Sequence, residues 1–135
     1  MDHLSRLQRR ILALLEEAGE LDLVAMVNSV SFPRGQKQEV PAMRDALLGL
    51  LDSGLISLTY WLLPLKKTFP LAPDDARSLL KDLPSLVYWS PEECFWQIVP
   101  RAPLYLIEVT DAGYQVACQI LEEEGYPNEP LDGYY

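Results

Sequence analysis

The chain has 135 residues and carries 20 Asp and Glu against 11 Lys and Arg, a formal net charge of −9. That length fits one domain with a real core, and 49% apolar residues with 23% charged is the composition of a folded globule rather than a disordered chain. Nothing approaches the roughly 18 consecutive apolar residues a membrane helix needs, and the early arginines lie inside an amphipathic pattern with no apolar core and cleavage site after them, so neither a membrane span nor a secretory signal is expected.

Cys94 and Cys118 have no metal-ligand spacing and are too few for a disulfide scaffold, which predicts reduced thiols in a cytoplasmic protein. The acidity is uneven. Residues 1–53 hold six cations against eight acids, and residues 54–109 hold five against six. Residues 110–135 hold no cation and six acids, so two-thirds of the deficit lies at one end of the chain. A phosphate is sensed over a Debye length of about 10 Å, so the local charge of a face matters more than the sum.

Residues 3–18 place Leu4, Leu7, Ile11, Leu14, Leu15 and Ala18 at steps of three and four, one stripe of a helix with Arg6, Arg9, Arg10, Glu16 and Glu17 on its other side. The arginine cluster reads as a solvated face paired with nearby acids. A second, shorter helix is predicted over 21–30, burying Leu23, Val24, Met26, Val27 and Val30. Residues 31–38 form a turn, because Pro33 and Gly35 forbid a helix through it.

The third helix is predicted from Glu39 to Ser53, with Pro41 in its first turn and Gly54 as a left-handed terminator. Val40, Met43, Leu47, Leu50 and Leu51 form its core stripe; Arg44, Asp45, Leu48 and Asp52 lie off it. Residues 55–63 read as a strand. Residues 64–102 are punctuated by prolines and rich in aromatics, with one short helix over 73–82 and short extended segments at 85–89 and 94–99. A loop this long without structure is unusual, so Tyr88, Trp89, Phe95 and Trp96 are expected to pack. Trp61, Trp89 and Trp96 read as core or interface residues rather than a base-stacking platform.

Residues 104–109 return as a strand. Thr110 is a good helix cap, Asp111 suits the positive helix end, and the helix runs to Glu124 with Tyr114, Ala117, Cys118 and Leu121 on one face. The whole is read as one α+β domain over 1–124, with 64–102 as an insertion and 125–135 as an acidic extended tail.

Two stretches carry a resemblance. Ala46-Leu-Leu-Gly-Leu-Leu-Asp-Ser-Gly-Leu-Ile56 looks like the junction from third helix to strand in winged helix-turn-helix regulators of the MarR and PadR groups, and Val109-Thr-Asp-Ala-Gly-Tyr114 is similar to the "Leu-Thr-x-x-Gly" that opens their helix after the wing. The resemblance covers residues 4–63 and 104–121. It implies a winged helix with a three-helix core, a β-wing and a C-terminal helix, acting as a homodimeric transcriptional regulator that occupies an operator in double-stranded DNA. Carried over by position, Gln38, Pro41, Ala42, Arg44 and Asp45 would face the groove, with Arg44 suited to guanine. Arg34 and Lys37 in the turn, and Lys66 and Lys67 at the start of the wing, would meet phosphates. The dimer would form through the first and last helices.

The turn before the third helix is longer than in that family, and the insertion has near-zero net charge. A second reading therefore stays open: a winged helix used as a protein-interaction module, with the aromatic insertion as its contact patch. An enzyme is not expected. The sole histidine, His3, sits at the start of the chain, adjacent Glu92 and Glu93 suit a proline-initiated turn, and no glycine-rich phosphate loop or cofactor motif is present.

Overall fold

The computed structural model of the chain describes residues 3–30, 33–100 and 102–127, and only the backbone at position 63. The end of the expected tail, residues 128–135, and Ser31, Phe32 and Arg101 lie outside the described residues.

The architecture is α+β. In chain order the elements are α1 (Arg6–Ala18), β1 (Glu20–Asp22), α2 (Leu23–Ser29), α3 (Glu39–Asp52), β2 (Ile56–Leu62), β3 (Lys67–Pro70), α4 (Pro73–Lys81), α5 (Leu83–Leu86), β4 (Val87–Ser90), β5 (Phe95–Ile98), β6 (Leu104–Val109) and α6 (Asp111–Glu124). A four-stranded antiparallel sheet has the order β1-β6-β2-β3, and β4 with β5 makes a separate hairpin.

Period-3.6 patterning puts Leu7, Ile11, Leu12 and Leu15 of α1, Met26 and Val27 of α2, and Met43, Leu47 and Leu50 of α3 in the core. The sheet adds Ile56, Leu58 and Ile107 from one face, Leu58 standing directly opposite Ile107. Ser5 caps α1: its hydroxyl accepts from the Gln8 amide while the Gln8 side chain accepts from the Ser5 amide, a reciprocal pair that satisfies two helix-end donors.

Four expectations are corrected. The second helix begins at Leu23, because Asp22 accepts from the Ala25 amide and caps it there, and residues 20–22 pair with β6 instead. Residues 67–70, placed in the irregular insertion, return as β3 and form a short hairpin with β2; Tyr60 stacks on Phe69 across the pair, ring centroids 5.4 Å apart. In α3 the buried set includes Glu39 and Ala46, while Leu51 is only half-buried. The inward face of α6 is Gly113, Val116, Ala117 and Ile120, one position away from the expected face, and Tyr114 points outward.

The cause of that last shift joins the two stretches that carry the resemblance. The Thr110 hydroxyl donates to the Gly54 carbonyl at 2.6 Å and accepts from the Gly113 amide, and the Thr110 amide donates to the Leu55 carbonyl at 3.1 Å. Gly113 then lies so close to that Leu55 carbonyl that any Cβ would collide with it. Only glycine permits this approach, and the approach fixes the rotation of α6.

The insertion after β3 folds back onto the body. α4 and α5 pack along α3, burying Ala76, Leu80 and Leu83, and the β4–β5 hairpin packs on α2. Between α1 and α6, Arg9 donates to Glu124 at 2.7 Å and to Glu123 at 2.9 Å, which raises its pKa, Glu124 contributing most. The first and last helices therefore pack on each other within a single chain.

Candidate functional site

The third helix and its surroundings are where the expected site residues converge, so its accessible surface decides what the site can do. Along α3 only Asp45 and Asp52 are exposed; Pro41, Ala42, Arg44, Leu48, Gly49 and Leu51 are half-buried, and the rest are buried. The outward face is ion-paired. Arg44 donates to Asp45 at 2.9 Å, and Arg77 of α4 pairs with Asp52. Arg44, expected to face a guanine, thus donates its Nε–H to its sequence neighbour, which offsets its charge. Pairs this exposed contribute at most about 1 kcal/mol of stability, but they leave the face with no net positive charge.

At the start of α3 lies a feature that the sequence marks only as the first residue of the helix. Glu39 is 3% exposed, and its carboxylate accepts four N–H groups. Arg34 N donates to both oxygens at 3.1 Å, Gly35 N to Oε1 at 3.2 Å, Gln36 N to Oε2 at 3.0 Å, and the Trp96 indole to Oε1 at 2.9 Å. A buried carboxylate is costly unless hydrogen-bonded, and four donors with a helix N-terminus supply what water would have given.

The donor set matters for function. Consecutive backbone N–H groups pointing inward beside a helix N-terminus make an anion hole of the kind that takes a phosphate. Here the chain's own carboxylate fills it.

The hairpin seals this arrangement. Asn28 of α2 pairs with the Trp96 backbone at both ends of its amide, donating to the carbonyl and accepting from the N–H, each at 2.9 Å. Trp89 packs edge-on against Trp96, centroids 5.4 Å apart, and lies over Gly35, where a Cβ would come within 2.5 Å of the indole. Gly35 also has φ +73°, a conformation that disfavours other residues. The long turn, α2, α3 and the hairpin therefore form one packed unit.

Of the remaining expected residues, Arg34, Lys37 and Gln38 are exposed, Gln38 donating to the Gln36 side chain at 3.0 Å. Lys66 and Lys67 are exposed at the β2–β3 hairpin, where Lys66 takes a left-handed conformation with φ 52°. The structure therefore gathers Arg34, Lys37, Gln38, Pro41, Ala42, Arg44 and Asp45 around one helix end, while Lys66 and Lys67 sit on a separate hairpin. The Glu39–Trp96 contact spans 57 residues and has no local sequence signal.

The largest exposed apolar side chains are Leu65 at 57%, Tyr126, Tyr114, Tyr88, Phe95, Leu104 and Leu62. Among the described residues, no group of three His, Cys, Asp or Glu side chains could hold a metal ion, and no helix is long and apolar enough to cross a membrane. No family model matches the chain, and neither the curated proteins nor the solved structures contain a match to it.

Proposed function

We propose that this chain is a winged helix used as a non-enzymatic protein-interaction module. The order of three helices, strand, hairpin, returning strand and last helix, with β6 between β1 and β2, supports the winged-helix assignment. The observation that carries the functional reading is Glu39. A duplex reader presents the N-terminal end of its third helix to DNA, whereas here the first residue of that helix is a buried carboxylate that takes up the backbone N–H groups of the preceding turn and is bonded to Trp96 of the insertion. The outward face of the same helix is neutralised by its own ion pairs. Among the exposed side chains are several large apolar ones: Leu62, Leu65 and Leu104 around the wing and two aromatics on the hairpin. Such surfaces suit protein contacts.

The exposed cations Arg34, Lys37, Lys66 and Lys67 favour a second reading, in which the chain grips duplex DNA as a transcriptional regulator through its turn and wing. Two assays on one preparation separate the readings: a duplex mobility shift at low ionic strength, and a pull-down with wild-type and Leu65→Asp chains. The interaction module gives no duplex shift and retains a protein partner that the Leu65→Asp chain loses. A shift that loses sequence preference in Arg44→Ala, and weakens evenly in the Lys66→Ala/Lys67→Ala double variant, assigns the DNA reading instead.

A further inference from the structure

Two hairpin tips on this chain are opposite in character. The wing turn between β2 and β3 exposes Leu62 and Leu65 and carries adjacent Lys66 and Lys67; residues 53–73 contain no acid at all. The turn between β4 and β5 carries adjacent Glu92 and Glu93, and residues 82–100 contain no Lys or Arg. By the strand register, Tyr88, Ser90, Phe95 and Gln97 share one face of that hairpin, and Val87, Trp89, Trp96 and Ile98 the other. The second face packs inward through Val87, Trp89 and Trp96, which leaves Tyr88 and Phe95 each 48% exposed beside the two glutamates.

Neither pair of charges is used among the described residues. The side-chain ammonium and carboxylate groups of Lys66, Lys67, Glu92 and Glu93 make no ion pair or hydrogen bond there, so the two complementary tips do not pair with each other in one molecule. We propose that they meet between molecules: the wing tip of one copy docks on the β4–β5 hairpin of a second copy, and the second copy's wing docks back on the first.

Leucines would cover the aromatic rings, and the two ammonium groups would face the two carboxylates. Reciprocal docking follows from closure, because a two-fold pair uses both tips of both copies and leaves no free end. The exposed fractions of these side chains give on the order of 1,000 Å² buried over both contacts, the low end for a specific interface. A dimer with Kd in the region of micromolar is expected from that size.

This inference rests on reading the chain as a protein-interaction module and names the partner of its wing. The test is solution mass, by light scattering or sedimentation, on the full chain across a concentration series at low and high salt. Wild type is expected to be a dimer that salt weakens. K66E/K67E and E92K/E93K, each expected to keep the wild-type circular dichroism and melting temperature because all four side chains are exposed, are each expected to weaken self-association by about 100-fold or more through like-charge contact. An equimolar mixture of the two variants restores a dimer, and so does the chain carrying all four changes, because the charges are complementary again.

A wild-type chain that stays monomeric to high concentration overturns the inference. So does a dimer indifferent to both reversals, or one that neither the mixture nor the fourfold variant rescues. Growth beyond two copies overturns the reciprocal arrangement. The mass series is read independently of the duplex shift, so a duplex-binding monomer fails both proposals, and a monomer that binds no duplex fails only this one.

Discussion

At Gly113 the backbone of α6 rests against the Leu55 carbonyl, with Thr110 tying the same point to Gly54. A methyl group there must displace backbone rather than a flexible side chain. Gly113→Ala is therefore expected to cost roughly 3 kcal/mol, and Thr110→Ala about 1 kcal/mol as a lost cap, both read as shifts of the urea midpoint at unchanged slope. Glu39 is the other position where identity is tightly specified. Glu39→Gln keeps the size but offers one acceptor oxygen where four N–H groups converge, leaving buried donors unpaired. A loss of about 1–3 kcal/mol is expected. At the other end of the molecule the negative charge of Glu16 holds the Tyr126 phenol above the usual tyrosine range. A pKa raised on folding gives a contribution that is complete below the unfolded value, near 10, and is lost as pH rises through the folded one. The Tyr114 phenol is raised as well, chiefly by its side-chain hydrogen bond with Cys118, so an absorbance titration should show two late-ionising tyrosines, of which Tyr126→Phe removes one.

Among the elements, the β4–β5 hairpin and the turn before α3 are joined by Asn28, Trp96, Glu39 and the Trp89–Gly35 contact, so they should open together. In hydrogen exchange, Asn28→Ala is expected to raise exchange across both 34–36 and 95–98 while α1 and β6 keep their protection. Exchange that rises in the hairpin alone would mean the turn is held independently. These elements also mark where sequence reasoning reached its limit. Amphipathic spacing located α1, α3, α4 and α6 to within a few residues, and turn and cap residues located the ends of β2 and β6, because those signals are local. The insertion is different. Of the four aromatics expected to pack, Trp89 and Trp96 do, while Tyr88 and Phe95 lie on the outer face of the hairpin and stay exposed. What Trp96 packs on is decided by Asn28 and Glu39, which lie 68 and 57 residues away. β3 was missed because Lys67-Thr-Phe-Pro70 sits between prolines and shows its strand character only in pairing with β2. The α6 face was misread by one position because Gly113 counted as apolarly silent, when its lack of a side chain is what lets that face approach the core.

For the whole molecule the net charge of −9 is less informative than where each charge goes. Arg9, Arg44 and Arg77 each pair with a carboxylate, which removes three of eleven cations from any long-range positive field. Of the expected site residues, Arg34, Lys37, Gln38, Pro41, Ala42, Arg44 and Asp45 lie around the start of α3, while Lys66 and Lys67 lie on the β2–β3 hairpin. Their accessibility was not readable from the chain, since it depends on an insertion folding back over the helix and on a carboxylate entering the anion hole. The most direct measurement of the central claim is the binding of a fluorescent duplex of about 30 base pairs by anisotropy, at about 20 mM salt where phosphate contacts are strongest. No rise in anisotropy through roughly 100 μM chain is the expected result. Saturable binding that weakens steeply with salt, and that Lys66→Ala/Lys67→Ala reduces, would contradict it and return the helix end to the role of a DNA reader.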